Sequence, residues 1–139
     1  ESKLWMRCNM KNKKEVKKIG VKEYFLVLIS VLIIILVFTA IDLYIHSLSP
    51  DYGVPSYYFR NKIIFGIILG FIIYFFIREK KILSKALIFS AVISILLQFR
   101  YYFVEHYPLK FVLEFLVIHF VILLPTSLVV FWLMKKYYH

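Results

Sequence analysis

The sequence predicts an all-α integral membrane protein, a bundle of four transmembrane helices with both termini in the cytoplasm. Three observations carry that expectation. The 139 residues are 62% hydrophobic, with a mean hydropathy of +0.79, well above the roughly 45–50% apolar content of soluble domains. Four long apolar runs alternate with short polar connections. The 18 Lys and Arg, set against 8 Asp and Glu, fall unevenly on those connections. A chain this short has too little interior to hide so much Ile, Leu, Val and Phe from water, so a water-soluble globule is excluded. The 14 Phe and 11 Tyr argue against disorder. Cys8 is the only cysteine, which forbids an internal disulfide and any paired-thiol chemistry.

The first run, Tyr24 to Ile45, is broken only by Ser30, Thr39 and Asp42. At about 1.5 Å per residue its 22 residues cross a hydrocarbon layer of about 30 Å. It is too long for the apolar segment of a cleaved signal, and no small-residue cleavage site follows it. The second run, Ile63 to Ile77, is short for a crossing, so its helix is expected to start near Ser56, after Pro55. Tyr57, Tyr58 and Phe59 would then lie at the outer interface, where amphipathic rings are favoured. A re-entrant hairpin is the alternative for the second and third runs. The third run is Ile82 to Phe99, with room to continue through Tyr102, and the fourth is Phe111 to Met134. The expected spans are therefore about 24–46, 56–77, 82–102 and 111–134, within a membrane domain of residues 24–139. Short connections make successive helices antiparallel neighbours. Pro125, inside the fourth span, removes the donor to the Val121 carbonyl and invites a kink, with Thr126 or Ser127 available to satisfy local backbone groups.

Positive charge sets the expected orientation. Eight basic residues precede Tyr24; Arg78, Lys80, Lys81, Lys85, Lys135 and Lys136 join them on the same side. Only Arg60, Lys62, Arg100 and Lys110 lie on the other. That asymmetry accounts for the net charge of +10 without nucleic acid. Residues 1–23 read as a basic cytoplasmic leader, and its lysines are candidates for anionic lipid. Within it, Met10 opens a lysine-rich stretch, so residues 1–9 are expected to be an upstream extension or a non-native remnant. The cell membrane is the expected location.

Small and polar residues recur at helical spacing. Gly66 and Gly70 form a G-x-x-x-G pair that permits close approach of helices, within the bundle or in a homo-oligomer or a complex with a membrane partner. Lys62 shares their face. Ser90, Ser94 and Gln98 follow Ala86 at intervals of four, and Thr39, Asp42 and His46 share a face of the first span. These stripes point to a common interior.

Ionisable residues inside a membrane are expensive and become candidates for function. Asp42, His46, Lys62, Gln98, Arg100, Glu114 and His119 all fall in the outer half of their spans. One reading is a set of ion pairs, Asp42 and Glu114 with Lys62, Arg60 or Arg100, that fix helix register. The other is a polar vestibule, open outward, that binds or transports an ion or small polar ligand. Asp42, His46, Glu114 and His119 have donor types that suit zinc, but Glu114 and His119 diverge by about 140° around their helix, and no metal or other cofactor is expected. No catalytic set stands out, although a head-group enzyme using Asp42 and His46 is a third class. Small multidrug exporters share this length and span count, but their first-span Glu has no counterpart nearer than Asp42, and no family resemblance is drawn.

Overall fold

A computed structural model describes residues 18–138. Four α-helices follow one another: α1 (Val21–Ser47), α2 (Tyr57–Ile77), α3 (Ile82–Phe103) and α4 (Leu109–Tyr138). A single 3-10 turn, Pro50–Tyr52, interrupts the α1–α2 connection, and no strand occurs among the described residues. Residues 1–17, which hold most of the basic leader and the expected 1–9 extension, lie outside the described residues.

All four helices are long and apolar enough to cross a membrane. The shortest, α2, has 21 residues, a length of about 32 Å. Together with the 22 residues of α3, this gives two full-length antiparallel helices rather than a shallow hairpin. Large side chains such as Ile29, Leu36, Ile68, Ile72, Ile95 and Val117 point outward, each about half exposed. Helices apolar on every side suit lipid, because in water such a surface would be a continuous adhesive patch.

The helices form a ring in which each packs on its sequence neighbours and α4 closes against α1. Ring contacts fix the up-down order. Tyr24 of α1 meets Phe71 and Phe75 near the end of α2, while His46 at the far end of α1 stacks on Phe115 near the start of α4. One end of the bundle thus carries the start of α1, the end of α4 and the α2–α3 connection. The distal end carries the α1–α2 and α3–α4 connections. In the latter, His106 adopts a φ of 55° and the Tyr107 N–H reaches the Tyr101 carbonyl at 3.2 Å, folding the chain back on itself.

Each helix buries one stripe. On α2 it is Tyr58, Lys62, Gly66, Gly70 and Tyr74, four apart, and then Ile77 three further on. The two glycines face α1. A Cβ on Gly66 would meet Ile35 Cδ1 at 3.0 Å, and one on Gly70 would meet Val31 Cγ1 at 2.8 Å and Phe89 at 3.1 Å. The G-x-x-x-G pair is therefore consumed inside the bundle. On α3 the buried stripe includes Ala86, Ser90, Ser94 and Gln98. Ser90 and Ser127 exchange a hydrogen bond of 3.1 Å between α3 and α4. Helix α4 runs unbroken through Pro125. There the Thr126 hydroxyl donates to the Ile122 carbonyl and that of Ser127 to Leu124, rather than to the Val121 carbonyl that proline leaves without a donor.

Candidate functional site

Four helices converge on one carboxylate in the distal half. Asp42, on α1, is fully buried, and so are Lys62 of α2, Gln98 of α3 and His119 of α4. The Lys62 ammonium donates to Asp42 Oδ2. His119 Nε2 lies 3.0 Å from Asp42 Oδ1, and His46 Nε2 lies 3.4 Å from Oδ2. Gln98 Nε2 stands 2.8 Å from His119 Nδ1. An amide N–H there makes Nδ1 the acceptor, so Nε2 carries the ring proton and donates it to Asp42. Lys62 Nζ, 3.3 Å from Nε2, is then a second donor beside the first, both aimed at the same carboxylate.

A second proton arrangement fits the same positions. Gln98 Oε1 is buried without a hydrogen-bond partner. Turning the amide would let Oε1 accept from a protonated Nδ1 while Nε2 keeps its own proton towards Asp42 Oδ1, 3.0 Å away, so that the ring is then an imidazolium. The cluster can therefore take one further proton, on His119 Nδ1, without moving a helix.

Aromatic rings wall the cluster. Lys62 Nζ lies 4.4 Å from the Tyr58 ring centre and 5.1 Å from that of Phe38, within cation–π range. Tyr58 stacks on Tyr101 at 4.2 Å. His46 lies flat on Phe115, 4.3 Å between centres and 7° between planes, and its Nδ1 donates to the Tyr52 carbonyl of the 3-10 turn. Above this lid is a distal cavity of about 560 Å³, lined among others by Asp51, Tyr52, Tyr107, Lys110, Phe111 and Glu114. Burial, with Tyr57 and Glu105 nearby, pushes the Tyr107 phenol above its ordinary value, so it remains a neutral donor at that mouth. Tyr52 links the two compartments, its carbonyl holding His46 and its residue lining the cavity.

Five of the seven candidate polar residues thus meet: Asp42, His46, Lys62, Gln98 and His119. Arg100 and Glu114 do not. The Arg100 guanidinium covers the Phe65 ring at 4.2 Å, and Glu114 is half-exposed, its nearest cation being Lys110 at 3.9 Å. Two residues along a helix turn a side chain about 200°, so Arg100 cannot share the face of Gln98. The five-residue step from His119 likewise carries Glu114 away. The cluster is also sealed, not an open vestibule, because Phe115 and the Pro50–Tyr52 turn cover His46. Tyr58, expected at the interface with Tyr57, is inside, whereas Tyr57 is exposed and donates to Glu105 at 3.3 Å. Sequence reasoning missed Phe38, Tyr58, Tyr101 and Phe115 as walls of the site. Their positions were signalled: Tyr58 and Phe115 precede Lys62 and His119 by four residues, and Phe38 precedes Asp42 by four.

Asp42, His46 and His119 each offer a ligand atom, all within 4.8 Å of one another. The Asp42 and His119 atoms already engage one another, His46 Nε2 has no hydrogen-bond partner among the described residues, and the Lys62 ammonium sits on the carboxylate. A metal ion would have to displace Lys62, whereas an added proton needs only His119 Nδ1 and a turned Gln98 amide to accept from it. No family model, curated protein or solved structure matches this chain. Fold and site together define a small four-helix bundle, apolar outside, built around a closed and charge-balanced polar core.

Proposed function

We propose that the chain is a multi-pass protein of the cell membrane, with both termini cytoplasmic, and that its Asp42–Lys62–His119 cluster binds and passes a proton or another small cation taken from the outer side. The observation that carries this reading is the convergence of three ionisable partners on one fully buried carboxylate. A buried ion pair contributes little net stability compared with well-packed apolar residues. Two imidazoles beside it add what a mere staple does not require, namely ring nitrogens that can take up and release a proton. Lys62 acts as the built-in cation that holds Asp42 ionised between turnovers. His46, beneath the distal cavity, is the first group an incoming proton meets.

A second reading is favoured by the completeness of the Asp42–Lys62 pair: an accessory subunit in which the pair only fixes helix register. Reconstitution into liposomes separates the two. Under an imposed proton, Na⁺ or K⁺ gradient, the wild-type protein should dissipate at least one. Asp42→Asn should abolish the flux, and His46→Gln should slow it while unfolding at the wild-type temperature. Liposomes that hold all three gradients as well as empty ones would refute the transport reading.

A further inference from the structure

The end of the bundle where α1 starts and α4 ends holds a polar feature that the Asp42 cluster does not explain. A cavity of about 290 Å³ opens where α2 turns into α3, bounded also by α4 and the first turn of α1. Its walls carry five cations, Arg78, Lys80, Lys81, Lys85 and Lys135, against two carboxylates, Glu23 and Glu79. Glu79 is largely exposed and its closest cation is the adjacent Arg78, at 3.3 Å. Among the described residues, none of the four lysines is joined to a carboxylate in an ion pair. Like charges gathered in one concavity repel one another, and an anion relieves that repulsion.

Two further features suit an anion. Helix α3 begins in this cavity, with Lys81 in an extended backbone conformation at its N-cap and no side chain capping the first turn. Its free amides and dipole therefore face the same space as the lysines. Lys85 is half-buried, its stem held between two buried rings, with Nζ 5.0 Å from the Tyr74 centre and 5.9 Å from that of Phe131. This is a lysine positioned by packing rather than one free in solvent. Ile82 and Met134, both half-buried, extend the apolar floor towards the outside of the bundle.

We infer that this cavity binds a phosphate-bearing anion. The apolar floor beside the cationic wall matches an anionic phospholipid, whose phosphate would meet Lys81, Lys85 and the α3 amides while its chains follow Ile82 and Met134. Free inorganic phosphate offers the same headgroup chemistry without the chains. The site is independent of the distal cluster, and its failure would leave the proton reading as it stands.

Native mass spectrometry of the full chain, released from bilayers of phosphatidylglycerol and phosphatidylcholine in equal parts, tests it. The protein should retain phosphatidylglycerol in preference to phosphatidylcholine. Lys81→Gln and Lys85→Gln should each lower that retention about fivefold, and Lys85→Arg should restore it. Lys110→Gln, at the distal end, should change nothing. Lys81 is exposed, so its variant carries the test if Lys85→Gln misfolds. Binding of inorganic phosphate, sensitive to the same lysines but without lipid preference, would support the anion site and overturn the lipid as its source. Equal retention of both lipids with no phosphate binding, or retention indifferent to both glutamine variants, would overturn the site itself.

Discussion

The two halves of the bundle are held together by different means. Near the middle and towards the termini, helices touch through small residues and rings: Gly66 on Ile35, Gly70 on Val31 and Phe89, Ser90 on Ser127, and Phe89 edge-on to Phe131. In the distal half the contact is a charge pair with two imidazoles, an amide and an aromatic wall. Both are close-packed. The difference lies in how each fails. Apolar packing loses free energy in proportion to the misfit, because neighbours can shift by tenths of an ångström. A buried ion pair fails outright, because a charge left without its partner has no water to turn to. The first half resembles a well-filled core, the second a site.

The largest effect should come from splitting the pair. Lys62→Met leaves the buried Asp42 carboxylate without its cation, and unfolding in detergent should show a loss of about 3–5 kcal/mol. Adding Asp42→Leu should return most of that stability while leaving flux at zero. If the double variant is no more stable than the single one, the distal half is not organised around the pair. A smaller effect should follow from Gly70→Ala, whose new Cβ meets Val31 at 2.8 Å and should lower stability by about 1–3 kcal/mol. Gly66→Ala should be milder, since its closest contact is the terminal methyl of Ile35 at 3.0 Å. A reversed order in thermal melts would mean that α1 and α2 approach differently. The smallest effect is expected at the polar residues left outside the cluster. Arg100→Gln and Glu114→Gln should each change stability by less than about 0.5 kcal/mol and leave flux at wild-type rates. A loss of flux in either would enlarge the site beyond its five residues.

Much of this arrangement was legible in the chain because an apolar surround simplifies the reading. Polar residues in such helices have only one direction to face, so the stripes Ser90–Ser94–Gln98 and Lys62–Gly66–Gly70 announced the interior. The helix ends differ from expectation by a few residues. Helix α4 extends to Tyr138, past Lys135 and Lys136, because nothing there breaks a helix. The choice of partners was less legible. Lys62 pairs with Asp42 where Arg60 or Arg100 carry the same charge, and the 100° step per residue decides it. Arg60 and Arg100 stand two positions from the buried Lys62 and Gln98, and both turn outward. The same geometry sets Glu114 apart, since its divergence of about 140° from His119 is legible in the spacing, whereas Arg100 shares only its depth with Gln98. The Tyr52 carbonyl above His46 was beyond sequence reasoning altogether, since it depends on how a connection of nine residues, 48–56, folds back over the helix ends.

The balance of charge around Asp42 has an electrical consequence. Work done by a membrane potential scales with the net charge moved through it, about 2.3 kcal/mol for a full elementary charge across 100 mV. A carboxylate and an ammonium in contact present a short dipole and no net charge between them, so a voltage would pull on that pair only weakly. A single proton accepted by His46 or His119 changes that at once. On the proposed reading, a cluster loaded in this way would carry an added positive charge within the distal half, and voltage would act on its occupancy.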